Sequence, residues 1–325
     1  MRRIDRLRTD FLAYAERRLP QGEPVGLYEP AAYLLRQSGK RVRPLLALLG
    51  ASLFEESAGS ALPVALAVEV FHNFTLVHDD IMDASPLRRG EPTVHAAYGE
   101  NTAILAGDLL LIKAYEAMSE LRDPTALPAI IRVFNRVAVG VCEGQQLDVD
   151  FETREDVTIA EYLRMIELKT AVLLGGALQM GALAAGAGEA AAAHLYEFGR
   201  LTGIAFQLQD DYLDTFGEAA AVGKQIGNDI TTNKKTFLYL RSLELAAPAQ
   251  RTELEQHYAL TGENAAKVSR VTQLMHELEI PRRAAKLRDD YQARAYDALA
   301  KVTAAHPERK QDLIDLAEAL LQRES

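Results

Sequence analysis

Two short acidic clusters dominate the chemistry available to this chain. Asp79-Asp80-Ile81-Met82-Asp83 and Asp210-Asp211-Tyr212-Leu213-Asp214 share the pattern Asp-Asp-x-x-Asp and stand 131 residues apart. Each lies in an apolar, helix-forming stretch. At ~100° per residue, the first and last Asp of each cluster fall ~40° apart, on one helix face. Six carboxylates on apolar helices are costly to bury without counter-charge. They ask for cations, and oxygen-only donors of this kind suit Mg²⁺. Mg²⁺ held by only a few carboxylates completes its shell with water and substrate phosphate. Two such helices predict a clamp for a diphosphate.

Basic residues stand close to both clusters. Ser38-Gly39-Lys40-Arg41-Val42-Arg43-Pro44 puts three cations just before an apolar helix, a favourable place for an anion. Arg88-Arg89-Gly90 follows the first acidic cluster, and paired guanidinium forks suit diphosphate. Each cluster could instead make surface salt bridges. Gly223-Lys224 and Lys234-Lys235 bracket a loop after the second cluster. This is not a P-loop, because Gly-x-x-x-x-Gly-Lys-Ser/Thr is absent. Its lysines can act as point charges for phosphate or lie on plain surface. His72 precedes Asp79 by seven residues, so it points ~20° away from it. Alone it reads equally well as a core histidine; aligned with Asp79 and Asp83 it becomes a candidate substrate contact. Asp80 points away from the other two carboxylates of its cluster.

Composition bounds the alternatives. The 325 residues are 48% hydrophobic and 25% charged, enough for a large globular core. The net charge of −10 argues against nucleic acid. It also suits an anionic substrate poorly, unless Mg²⁺ inverts the local sign. One cysteine, Cys142, allows no internal disulfide and fits a reducing cytoplasm. Met1-Arg2-Arg3-Ile4-Asp5-Arg6 has no apolar segment behind it, so no targeting peptide is expected. The longest uncharged run, Thr170 to Gly188, contains Gln179 and five Gly and is flanked by Lys169 and Glu189. A buried core helix is expected there, not a membrane span.

The elements that must carry these residues are helical. Apolar spacings of three and four predict helices over 4–19, 45–54, 62–82, 102–121, 127–149, 159–183 and 191–216, and five more between 236 and 321. Thr158-x-x-Glu161 predicts a capping box, and Pro63 suits a first helical turn. Residues 20–30, 84–93, 151–157 and 217–233 read as loops. No alternating strand pattern or Asn-Gly hairpin signal is visible. No composition shift marks a boundary, so one all-α domain over 1–325 is expected.

In order along the chain, these pieces resemble the polyprenyl synthetase family, the trans-isoprenyl diphosphate synthases. The matching segments are Gly39-Lys40-Arg41-Val42-Arg43-Pro44, Leu76-Val77-His78 through Asp83, Arg88-Arg89-Gly90 and Gly144-Gln145-Gln146-Leu147-Asp148. Lys169-Thr170, Phe206-Gln207-Leu208-Gln209 through Asp214, and the Lys224–Lys235 loop complete the series. The resemblance implies a bundle of antiparallel helices around a deep cavity, in a homodimer. It implies Mg²⁺, three per site, held by Asp79, Asp83 and Asp210, with Asp80, Asp211 and Asp214 supporting. Arg88, Lys169, Thr170, Gln207, Lys224 and Lys234 would serve the allylic diphosphate. Lys40, Arg43, His72, Arg89 and Phe206 would serve isopentenyl diphosphate. Phe74, Thr75 and Phe71 would set product length, and small Thr75 favours C20 over C15. Some members close the site with a basic C-terminal tail; Leu321-Gln322-Arg323-Glu324-Ser325 offers little basis for one.

Two other readings compete. A class I terpene cyclase also ionises an allylic diphosphate, but usually carries an Asn/Ser/Glu-type second metal site. It would also not need a second diphosphate site at Lys40 and Arg43. A non-catalytic partner subunit would be expected to lose motif carboxylates, and all six are present.

Overall fold

The computed structural model describes residues 3–217, 227–262 and 264–322. The three-and-four apolar spacing is realised as helices α1 (Arg3–Glu16), α2 (Val25–Arg36), α3 (Val42–Ser52), α4 (Leu62–Met82), α5 (Val94–Tyr98) and α6 (Glu100–Ser119). Next come α7 (Leu127–Thr153), α8 (Ile159–Ile166), α9 (Val172–Ala184) and α10 (Glu189–Phe216). The series continues with α11 (Asn228–Thr231), α12 (Phe237–Leu245), α13 (Pro248–Tyr258), α14 (Ala265–Glu277), α15 (Ile280–Ala300) and α16 (Lys310–Leu321). The fold class is all-α.

Packing groups the residues into two compact units. The first comprises Met1–Phe134, Gly176–Leu195 and Val302–Leu313. Its spine is α4, packed against α6 and α3. Val64, Ala65, Val68 and Phe71 of α4 are buried, as are Ala103, Ala106 and Leu110 of α6. Small residues on α6 let the two backbones come close, so the acidic end of α4 is carried on a rigid pair. The second unit comprises Asn135–Gly175, Tyr196–Lys301 and Ile314–Ser325. There α12 packs against α8, α14 and α15 around Tyr162, Ile204, Leu208, Leu238, Leu254 and Leu274.

Local signals hold at the caps. Thr158 Oγ1 accepts from Glu161 N (3.2 Å) while Glu161 Oε2 accepts from Thr158 N (2.9 Å), the reciprocal capping box. Pro63 sits in the first turn of α4.

Four expectations change. Residues 25–30, read as loop, begin α2, with Pro30 inside it. An interior proline costs a helix ~3 kcal/mol, but burying Ala31, Ala32 and Leu34 offsets that. The helix predicted over 159–183 is interrupted by one π-helical turn, Glu167–Ala171, between α8 and α9. Within the loop predicted over 217–233, Asn228–Thr231 is helical. Leu87–Arg88 pairs antiparallel with Glu91–Pro92. The turn alone sets this pair: Arg89 (φ 56°) and Gly90 (φ 84°) both take positive φ, as a two-residue type I′ hairpin requires.

Among the described residues, three helical stretches are long and apolar enough to cross a membrane by length and composition: Gly59–Met82, Pro124–Thr153 and Ile159–Ala184. Inside the protein, 67%, 33% and 72% of their most apolar windows are buried. The first and third therefore spend most of their apolar surface on the protein's own core.

Candidate active site

The first acidic cluster closes α4. Asp79 and Asp80 lie in its last turn, and Asp83 is its exposed C-cap. Asp80 turns inward and is 1% exposed. Arg88 reaches back from the hairpin and clamps it, with Nε 2.8 Å from both oxygens and Nη2 2.6 Å from Oδ1. The reading that gave Asp80 to metal and Arg88 to substrate meets a bidentate pair joining the two. The pair fixes the hairpin against α4, so Arg89 is placed by it. Arg89's guanidinium lies over Gly39, where a Cβ would stand 3.1 Å from Nη1.

The segment 38–43 supplies the rest of this cationic group. Arg43 Nη1 donates to His72 Nε2 at 3.1 Å, while Arg43 Nε is shielded from solvent with no acceptor. A guanidinium only donates, so His72 must present an unprotonated Nε2. Its pKa agrees: removal from water, then the charges of Arg43, Arg89, Arg88 and Arg41, hold it well below the usual histidine value. Burial, opposed by Glu69 and aided by Arg89, brings Arg43 down to about 10, still charged at neutral pH. Four guanidinium groups thus converge on two buried carboxylates, Glu69 and Asp80. The excess positive charge and the spare Nε donor suit a polyanion.

The chain-length candidates lie on the same helix. Phe71 is buried, and its ring meets Phe74 (centroids 5.5 Å apart) and Phe134 (5.2 Å). Phe74 also packs edge-on against His78 at 4.8 Å. Thr75 donates its hydroxyl to His72 O (2.8 Å), leaving its methyl as the side chain's apolar face.

The second acidic cluster is built in the other unit. Asp211 is buried; Oδ1 accepts from Gln207 Nε2 (2.9 Å) and Oδ2 from the Tyr162 hydroxyl. Thr170 in turn donates to Gln207 Oε1 at 3.2 Å. Thr170 and Lys169 ride the π-helical turn, a frequent device at functional sites. Its position explains the Gly144 signal: a Cβ on Gly144 would fall 2.2 Å from Lys169 N. Lys169 Nζ is held by Asp148 Oδ2 at 2.5 Å, so the Gln-Gln-Leu-Asp segment positions this lysine. Phe206 and Asp210 are partly buried on α10. Asp214 Oδ2 accepts from Asp229 N at 2.9 Å, tying α11 to the cluster. Lys234 N donates to Asp229 O at 2.8 Å, which brings that lysine to the same group. Lys235 instead caps the end of α7, donating to Phe151 O (2.5 Å) and Glu152 O (3.2 Å). Lys224 lies outside the described residues.

Among the described residues, no three His, Cys, Asp or Glu side chains gather closely enough to hold a metal unaided. The donor set fits Mg²⁺ of the kind bound by one or two carboxylates and completed by phosphate and water. The crowding fits as well. Burial, then Asp210, raises the pKa of Asp211; burial, then Asp211 and Asp214, raises that of Asp229. A divalent cation relieves that repulsion.

Sequence reasoning passed over Asp229, Tyr162, Glu69 and Asn73. Asp229 had a weak signal, an acid inside a lysine-bearing loop. The other three lie in runs that read as core, and only tertiary contacts identify them.

Comparison with known proteins then fixes the family. Residues 24–278 match the polyprenyl synthetase family model. A geranylgeranyl diphosphate synthase of Methanosarcina mazei is 45% identical over 227 residues, 70% of each chain. A geranylfarnesyl diphosphate synthase of Natronomonas pharaonis is 42% identical over 243 residues, 69% of this chain and 71% of the other. A crystal structure of a geranylgeranyl pyrophosphate synthase superposes with TM-score 0.93 at 44% identity, covering 100% of both chains. The chain that carries these two acidic helices therefore belongs to the polyprenyl synthetase family, as a trans-isoprenyl diphosphate synthase and prenyltransferase.

Proposed function

We propose that the chain condenses isopentenyl diphosphate with an allylic diphosphate, head to tail, to an all-trans C20 diphosphate, with C15 the next reading. The observation that carries the two-substrate reading is Arg43: a cation with an unused buried donor, among guanidinium groups, on the unit that bears the first acidic cluster. That supports a diphosphate site beyond the one the carboxylates serve.

In this reading Asp79, Asp83 and Asp210 would hold Mg²⁺, three per site, with Asp80, Asp211 and Asp214 supporting them. Bound there, Mg²⁺ would stabilise negative charge on the leaving diphosphate. Lys169, steadied by Asp148, presents its ammonium to the same leaving group, with Thr170, Gln207, Lys224 and Lys234 orienting it and Arg88 adding charge. Lys40, Arg43, His72 and Arg89 bind isopentenyl diphosphate, with Phe206 beside its hydrocarbon. The allylic C–O bond breaks, the isopentenyl double bond attacks the carbocation, and a proton leaves to the released diphosphate. Apolar neighbours such as Phe71 and Phe74 keep water from the cation.

We read the enzyme as one domain over 1–325, cytoplasmic and homodimeric. Exposed apolar side chains of α6, namely Ile104, Leu105, Ile112 and Tyr115, support a second copy as partner. Light scattering of wild type and Ile112→Glu tests that. The activity is tested by incubating purified protein with Mg²⁺, isopentenyl diphosphate and farnesyl diphosphate, then measuring product mass. A linear C20 diphosphate is expected. A cyclised hydrocarbon would point to the cyclase, and no product to a non-catalytic subunit.

A further inference from the structure

A buried ion pair stands behind the cationic group. Glu69 is 4% exposed, in the most apolar part of α4. Its Oε1 accepts from Arg41 Nη1, and the two side chains are 5% and 8% exposed. Arg41 does more than neutralise it. Its Nη2 donates to Leu35 O and Gln37 O, both at 2.7 Å, the last carbonyls around the end of α2. Asn73, fully buried one turn along α4, donates to Glu69 O (2.7 Å) and Glu69 Oε1 (3.2 Å), which fixes the carboxylate.

The backbone at Arg41 needs this anchorage. It takes the left-handed conformation (φ 49°, ψ 41°) at the N-cap of α3, a region unfavourable for any residue with a Cβ. Such a conformation persists only where surrounding contacts over-determine it. Here three acceptors, Glu69 Oε1 on α4 and Leu35 O and Gln37 O at the end of α2, do so. Lys40 directly precedes that residue and Arg43 follows it by two positions. Arg43 also meets His72, which lies on α4 three residues beyond Glu69.

We propose that Glu69, acting through Arg41, is a positioning residue for the isopentenyl diphosphate site: it sets the left-handed turn that aims Lys40 and Arg43. The inference rests on the functional reading above. Glu69 touches no substrate in it. Losing Glu69 leaves Arg41 buried without its counter-ion, and the turn can relax.

Steady-state kinetics of Glu69→Gln and of the charge-free pair Arg41→Met/Glu69→Leu test this, with Tm measured alongside. Removing both charges avoids stranding one in the interior, so the double variant should fold. The expected result is a KM for isopentenyl diphosphate raised about tenfold or more in both variants. The KM for the allylic diphosphate and kcat at saturation should stay within about threefold of wild type. A lowered Tm with both KM values unchanged would show packing only and overturn the proposal. Failure of both variants to fold would do the same, by making the pair a folding element. Wild-type protein that forms no product from isopentenyl diphosphate removes the functional reading itself, an outcome distinct from an unchanged KM in active variants.

Discussion

Under the proposed chemistry, Phe74→Ala should lengthen the product. Phe74 lies five residues before Asp79, so at ~1.5 Å per residue its Cα is ~7–8 Å along α4 from the first carboxylate. Its ring rests on Phe71 at 5.5 Å and His78 at 4.8 Å, which holds it in one place. Removing the ring exposes Phe71, three residues or ~4.5 Å further on. That distance is close to one isoprene unit. Phe71 is itself backed by Phe134 at 5.2 Å, and Phe134 by Tyr115 at 5.0 Å, so a second floor remains. The expected shift is therefore from C20 to C25, not to unlimited growth. The stability cost should be bearable. A fully buried Phe→Ala change costs ~3–5 kcal/mol, and Phe74 is only partly buried, so about 2 kcal/mol is expected. Its two ring contacts, tilted on Phe71 and edge-on to His78, add roughly 1 kcal/mol. Product analysis by reversed-phase separation and mass spectrometry reads the outcome. A folded, active Phe74→Ala enzyme with an unchanged product spectrum would remove Phe74 from the gate, and with it the structural basis for C20.

The other expectations follow from the carboxylates, the cations and His72. Asp79→Ala or Asp210→Ala should lower kcat by about a thousandfold or more while leaving the fold intact. Mg²⁺ with pyrophosphate should raise the wild-type Tm by mass action and raise the variants' much less; an equal rise in the Asp79 variant would count against the metal assignment. Arg43→Ala should raise mainly the KM for isopentenyl diphosphate, whereas Lys169→Ala should lower mainly kcat. The opposite split in steady-state assays would reverse the two sites. His72 predicts acid lability. Its folded pKa is depressed, so below pH ~6.5 the unfolded chain binds a proton that the folded chain does not. Stability is full above that pH and falls as pH drops toward the folded value. Wild type should lose more Tm between pH 7 and 5 than His72→Gln, and equal losses would contradict the depressed pKa.

The sequence by itself determined the all-α class and the two carboxylate helices. Both depend on local periodicity, and a spacing of four places Asp79 beside Asp83, and Asp210 beside Asp214, whatever surrounds them. The capping box at Thr158 and the start of α4 at Pro63 were legible for the same reason. Local pattern also misled where it met an exception. Prolines hid α2, because the burial that offsets Pro30 comes from other helices. The π-helical turn at Lys169 was invisible, since it depends on the close approach of Gly144. Tertiary structure alone decided how each charge is used. Asp80 and Arg88 hold one another, Lys235 caps α7, and Asp211 depends on Tyr162, 49 residues away. Glu69 drew no notice within its apolar helix, and only the fold, by bringing Arg41 against it, gave it a partner. Residue type and spacing specify which groups could bind metal and phosphate; desolvation and long-range pairing specify which of them are left to do so.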